Sequence, residues 1–175
     1  MSSGPAVLIL AFNRPDLLRR TIDAVLAGNP KRVYLNIDGP RSHVPSDSRL
    51  VSEVLNVVQE TLWSCPVEIR SHPSNRGLGD GAVEAISWFF SLEISGVILE
   101  DDVCISPTSL LLAQELLDRF EGDPSVGSVT LFNPVPRRHL AEPKGTIRLS
   151  RIPSSQYWGT WRDRWEARVP NIHGW

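Results

Sequence analysis

Apolar residues in this chain follow two alternating rhythms from the N-terminus onward. Residues 5–12, PAVLILAF, form an apolar run without polar alternation, the pattern of a parallel strand covered on both faces. In the next segment, NRPDLLRRTIDAVLAG, the residues Leu17, Leu18, Ile22, Val25 and Leu26 share one helical face, Pro15 suits a first turn and Gly28 suits a stop. RVYLNID (32–38) then predicts a second strand, which runs into the turn-forming DGPRS.

The same unit recurs. Leu50, Val51, Val54, Leu55, Val58 and Leu62 predict a second amphipathic helix, and PVEIRSH (66–72) predicts a third strand. A glycine-rich turn, PSNRGLGDGA, leads into a helix carrying Val83, Ile86, Phe89 and Phe90 on one stripe, after which GVILE supplies a fourth strand. Residues 107–120 predict a further helix and SVGSVTLF (125–132) a further strand. This alternation predicts an α/β single domain with a mostly parallel central sheet flanked by helices. Residues 1–132 form its ligand-binding α/β region. Residues 133–175 form a loop and an aromatic-rich segment of the same domain, with truncation after Trp175 left open. NPVPRRHLAEPKG (133–145) is the candidate mobile loop.

Composition narrows the function classes. With 175 residues, 41% hydrophobic and 22% charged, the chain is long enough for one substantial core. A net charge of −2 gives no basic field for nucleic acid, although a single bound nucleotide is compatible with it. The longest N-terminal apolar run is too short to span a bilayer and has no basic leader, so the expectation is a cytoplasmic protein without an integral membrane segment. Cys65 and Cys104 have no ligand-like spacing and read as free buried thiols. His43, His72, His139 and His173 have no spacing that proposes a metal site.

The candidate chemistry lies where strands end. In open α/β sheets, ligands bind outside the carboxyl ends of the strands. Here those ends deliver Asn13 and Arg14, then Asp38, then Asn75 to Gly79, then Glu100, Asp101 and Asp102. Three consecutive carboxylates after an apolar strand demand an explanation, because like charges about 5 Å apart repel by roughly 3 kcal/mol per pair at an effective dielectric of about 20. Open water screens such a cluster; a crevice requires a cation.

If the strand stays extended, Glu100 and Asp102 point one way and Asp101 the other, so three equivalent ligands on one ion are not expected. Oxygen ligands select Mn²⁺ or Mg²⁺, whose remaining shell suits a diphosphate. The alternative is an acidic helix start or a solvated loop.

Other residues keep two readings each. Arg14 reads as a phosphate clamp or as a surface cation beside Asp16. Asp38 either caps the turn at Gly39 or accepts the imino hydrogen of a uracil. Gly77, Gly79 and Gly81 permit a tight turn and close approach of backbone to a ligand. Gly77, Gly79 and Ala82 also satisfy a loose dinucleotide fingerprint. Against that, PSNR intervenes after the strand, and the unit is not the first of the domain. Trp158, Trp161 and Trp165 stand at helix-like spacing and read as core packing or as a sugar-stacking wall.

The segments PAVLILAFNRPDLLRRTIDAVL, VYLNIDGP, SNRGLGDGAVEAISWFF and GVILEDDV, in that order, resemble nucleotide-sugar glycosyltransferases of the GT-A, Rossmann-like fold. The likeness is to bacterial family-2-like proteins and to inverting N-acetylglucosaminyltransferases with an EDD motif, and it covers roughly the first 105 residues. SSQYWGTWRDRW resembles the aromatic segment many bacterial members carry after the donor domain.

The resemblance implies a UDP-sugar donor, a carbohydrate or other hydroxyl acceptor, and Mn²⁺ or Mg²⁺. It implies that Asp102 is the metal ligand of a DXD-type motif, with Asp101 near the ribose and Glu100 supporting the donor site. It also implies Arg14 on the donor phosphates, Asp38 on the uracil, and Asn75, Gly77 and Gly79 in the pocket wall. An inverting transferase needs a general base, which in similar enzymes lies beyond the aromatic segment; neither Asp163 nor Glu166 is marked as that base by its spacing. A nucleotide-sugar-binding module without turnover and a nicotinamide-dependent oxidoreductase stay open as alternatives.

Overall fold

The computed structural model describes residues 3–132, 147–151 and 154–168. The candidate mobile loop, with His139, lies outside the described residues, as does His173. Among the described residues, eleven elements follow one another: β1 (Gly4–Ala11), α1 (Pro15–Ala27), β2 (Pro30–Ile37), α2 (Pro45–Glu60), β3 (Val67–Ser71), α3 (Leu78–Leu92), β4 (Ser95–Glu100), α4 (Pro107–Phe120), β5 (Val129–Thr130), β6 (Tyr157–Trp161) and α5 (Arg162–Glu166). Six strands form one sheet in the order β3-β2-β1-β4-β6-β5. The first four strands pair in parallel, and β6 runs antiparallel to both β4 and β5. The chain is thus an α/β domain with a mostly parallel sheet flanked by helices.

Strand order follows from which faces are apolar. β1 and the central stretches of β2 (33–35) and β4 (97–99) are continuously apolar because both of their faces are covered. On one face, Val7, Ile9, Val33, Leu35, Val97 and Leu99 pack against buried residues of α1, α2 and α4. On the other, Ala6, Leu8, Tyr34 and Ile98 meet Ala85, Ile86, Phe89 and Phe90 of α3 and Trp165 of α5. The chain lays β2 and β3 to one side of β1 and then crosses to β4 on the other side through α3, which lies on the opposite face from α1 and α2. The reversal opens a crevice between the carboxyl ends of β1 and β4.

Several local expectations change. α2 ends at Glu60 because Thr61 turns extended, with ψ 130°, and Leu62 is left 93% exposed outside the apolar stripe. α1 does stop at Gly28, but the left-handed residue there is Asn29, with φ 53°. Gly28 instead permits close packing, since a Cβ at that position would come within 2.9 Å of Leu110. Cys104 is exposed and Cys65 half-buried, so the thiols are free but not both buried.

The tryptophan tail is not one helix. Antiparallel pairing with β4 makes Tyr157–Trp161 a strand, so Tyr157 and Trp161 enter one core and Trp158 lies against the other. Among the described residues, no helix is long and apolar enough to cross a membrane.

Candidate functional site

A cleft of about 300 Å³ opens over the ends of β1, β2 and β4, at the lower end of the size range of small-molecule sites. Its lining includes Leu10, Phe12 and Arg14 from β1 and beyond, Asn36, Asp38 and Arg41 from β2 and its loop, Asn75, Gly77, Leu78 and Gly81 around the start of α3, and Glu100 and Asp101 from the end of β4. Residues as far apart in sequence as Leu10 and Asp101 meet there because parallel strands deliver their carboxyl ends to one edge.

At the β4 end, extended backbone stops at Glu100 and a turn follows, closed by the Val103 N–H donating to the Glu100 carbonyl (3.2 Å). The alternation expected for the three acids therefore does not continue. Asp101 is completely buried. Its Oδ2 accepts the Phe12 N–H (3.1 Å) and its carbonyl accepts the Thr21 hydroxyl (2.9 Å), which ties the turn to β1 and α1.

Arg14 forks across the cluster, with Nη2 on Asp101 Oδ1 and Nη1 on Asp102 Oδ2 at 2.8 Å. The guanidinium supplies one positive charge to a cluster of three crowded carboxylates, pairing with two of them. Burial pushes the Asp101 carboxyl above its ordinary value, against the opposing Phe12 N–H and Arg14 charge. Burial also pushes Glu100 up, with the Asp102 charge adding to the effect and Arg14 opposing it.

At the β2 end the polar groups satisfy one another. Asp38 Oδ1 accepts the backbone N–H groups of Gly39 and Arg76, both at 2.8 Å. Oδ2 accepts Asn75 Nδ2 at 2.8 Å and the Gly77 N–H at 3.2 Å. A carboxylate has about four lone-pair sites, and all are taken. Asp38 thus caps the turn at Gly39 and clamps the loop before α3. A pyrimidine imino hydrogen would have to displace one of these donors to reach it.

Glycines supply the rest of the clamp. A Cβ on Gly39 would sit 2.4 Å from the Ser74 nitrogen. Gly77 adopts φ 79° and ψ 161°, a region essentially confined to glycine. Nothing lies within 4 Å of where its Cβ would be, so backbone conformation rather than crowding requires glycine here. Gly79 lies within α3, also facing open space.

Arg41 and Asp47 are site residues that the strand-end argument misses. Asp47 is fully buried at the start of α2. It accepts Asn13 Nδ2 at 2.8 Å, and Arg41 Nε and Nη2 at 2.6 and 3.1 Å. These Arg41 bonds, over opposing burial and with help from Asn13, hold the Asp47 carboxyl at about 2. Arg41 also lies over the Phe12 ring, 5.2 Å from its centroid. The sequence signal was only DGPRS followed by an aspartate inside a polar stretch, which reads as an ordinary loop and helix start.

Trp158 and Gly79 do not line the cleft. Trp158 pairs across the strands with Ile98 and packs on Trp165, ring centroids 6.4 Å apart. Core packing therefore accounts for it, and the sugar-wall expectation has no contact in this structure. Asp102 lies beside the cleft, held through Arg14, and is 39% exposed. Asp163 pairs with Arg164, and neither it nor Glu166 lines the cleft.

Solved structures share this architecture. The 4-diphosphocytidyl-2C-methyl-D-erythritol synthase of Anaerococcus prevotii is 10% identical, with 99% of this chain and 78% of that one covered at a TM-score of 0.56. The mannosyltransferase PcManGT of Pyrobaculum calidifontis, determined with GDP-Man and Mn²⁺, is 17% identical at a TM-score of 0.47, and the matched region is 74% of this chain but 36% of that one. At 10% identity the likeness to the synthase establishes the fold alone. No protein-family model matches the chain, and no curated protein matches it.

Proposed function

We propose that the cleft is the donor site of a metal-dependent glycosyltransferase that takes a UDP-sugar and transfers its sugar to an acceptor hydroxyl. The observation that carries this reading is the convergence of Arg14, Asp38, Asn75, Gly77, Glu100 and Asp101 at the β1/β4 switch point, beside a carboxylate cluster with only one paired cation among the described residues. In the transfer, the hydroxyl oxygen attacks the anomeric carbon, the bond from that carbon to the diphosphate breaks, and the diphosphate leaves with the electron pair. The hydroxyl proton passes to a base. Inversion, and a base beyond the aromatic segment, rest on the sequence resemblance.

The residues suit a hard cation of a particular kind. Among the described residues, no three His, Cys, Asp or Glu side chains gather as a closed metal cage. Asp102, with Glu100 near it, offers instead the one or two carboxylates that Mg²⁺ or Mn²⁺ takes while keeping water and substrate phosphate. Bound there, such a cation supplies charge neutralisation for a departing diphosphate. Asp101 is less accessible because its oxygens face the Phe12 N–H and Arg14. Arg14 is 43% exposed, and a diphosphate offers its fork the same paired oxygens that the acids do now.

Titration calorimetry tests the reading directly. UDP binds with Mn²⁺ present and loses most of its affinity with chelator. Binding of NAD that is indifferent to metal, with no UDP binding, would overturn the proposal in favour of oxidoreductase chemistry. Release of UDP from a panel of UDP-sugars, with and without acceptors, then separates a transferase from a binding module.

A further inference from the structure

We infer that Arg41 reads the nucleobase of the bound nucleotide and selects one with a carbonyl at pyrimidine C4 or purine C6, uracil or guanine, over one with an amine at that position, cytosine or adenine. This rests on the nucleotide-site reading above and names the residue that sets its base preference. Arg41 lines the cleft, and its guanidinium plane is fixed from two sides by Asp47 and the face of Phe12. A guanidinium carries five N–H donors. Asp47 takes those on Nε and Nη2, and among the described residues Nη1 has no hydrogen-bond partner. The cleft wall therefore presents rigid donors at this point.

The Asp38 carboxylate on the same wall is already occupied. All four acceptor positions of Asp38 hold the Asn75–Gly77 loop and Gly39. A carbonyl at C4 or C6 of the base can meet the Arg41 donors without breaking that clamp, whereas an amine at that position would set donor against donor.

Placement agrees with this role. Arg41 follows β2, which lies two strands from β4, so the acids and Arg41 are separated by two strand spacings, roughly 10 Å. A diphosphate at the acids leaves its nucleoside to extend toward β2.

Asp47 is then a positioning residue. Burying a carboxylate is costly unless it is paired and hydrogen-bonded, and three of its four hydrogen bonds come from Arg41 itself. Arg41 is aimed by that buried partner.

The test compares UDP, GDP, CDP and ADP by calorimetry at fixed Mn²⁺ on the wild type, Arg41→Leu, Arg41→Lys and Asp47→Asn. The wild type binds UDP or GDP at least about tenfold tighter than CDP and ADP, the size expected for a hydrogen bond to a charged group. The UDP and GDP arms identify which of uracil and guanine is accepted. Arg41→Leu narrows the gap to about twofold or less, while Mn²⁺-dependent pyrophosphate binding is unchanged.

Arg41→Lys keeps the charge but loses the fork, and it loses part of the gap. Asp47→Asn also loses part of it, read as the ratio of UDP to CDP affinity, which a general loss of stability does not move. Equal affinity of the wild type for the UDP/GDP pair and the CDP/ADP pair, or a gap that survives Arg41→Leu and Arg41→Lys, overturns the inference while leaving a nucleotide site intact. Absence of binding by any nucleoside diphosphate overturns the site reading and the inference together.

Discussion

The two ends of the cleft solve opposite problems with the same kind of side chain. At the β2 end, Asp38 and Asp47 are carboxylates whose acceptor positions are filled by backbone, amide and guanidinium donors. At the β4 end, Glu100, Asp101 and Asp102 crowd together with Arg14 as their paired cation. Burial and mutual repulsion push Glu100 upward, burial pushes Asp101 upward, and hydrogen bonding to Arg41 holds Asp47 at about 2. One end is a finished structural clamp. The other is left electrostatically incomplete, which is where a site gives up stability for binding.

The comparison is broken most severely at Asp38. Asp38→Ala removes the acceptor for three backbone N–H groups and the Asn75 amide, and stability falls by about 3 kcal/mol in urea denaturation, consistent with partly re-solvated donors to a lost charge. A loss below about 1 kcal/mol would mean that water replaces the carboxylate freely and that the loop is not clamped. Gly77→Ala tests the backbone half of the same clamp. No atom obstructs the new methyl, so the expected loss of about 1–3 kcal/mol is conformational strain alone. An unchanged denaturation midpoint would show that φ 79° is not required.

Much of this arrangement was legible because periodicity and strand ends are sequence properties. PAVLILAF, VYLNID and GVILE read as buried parallel strands because covering both faces leaves no polar alternation, and residues 107–120 read as the helix that forms there. Convergence of Arg14, Asp38, Asn75, Gly77, Glu100 and Asp101 followed from the crevice rule.

What stayed hidden were choices made by tertiary pairing. Trp158, Trp161 and Trp165 keep helical spacing, but β4 recruits the first two into a strand. Asp38 advertises a carboxylate without revealing that the loop at Asn75–Gly77 fills it. Arg41 and Asp47 lie six positions apart in a polar segment, where nothing in the pattern says that the aspartate is buried. The aromatic partner of Arg41 comes from the end of a different strand.

A milder change separates the ends by sign. Asp102→Asn removes a charge that raises both Glu100 and Asp101 and also removes one arm of the Arg14 pair. Exposed pairs contribute about 0–1 kcal/mol and the relieved repulsion is of similar size, so stability at neutral pH changes by less than about 1 kcal/mol, whereas Mn²⁺-dependent UDP binding is lost.

The pH profile carries the sharper signal. A carboxyl raised on folding contributes stability that is present below its unfolded pKa and lost as pH rises through its folded pKa. For Glu100 and Asp101 that loss begins above the ordinary values of 4.5 and 3.8. Asp47 behaves oppositely, contributing stability above 3.8 that is lost as pH falls through about 2. Denaturation midpoints measured from pH 3 upward should therefore decline less steeply above about pH 4.5 in Asp102→Asn than in the wild type, while the acid-side fall set by Asp47 is the same in both. Parallel profiles would show that Asp102 does not strain its neighbours, and the contrast between the two ends of the cleft would then rest on burial alone.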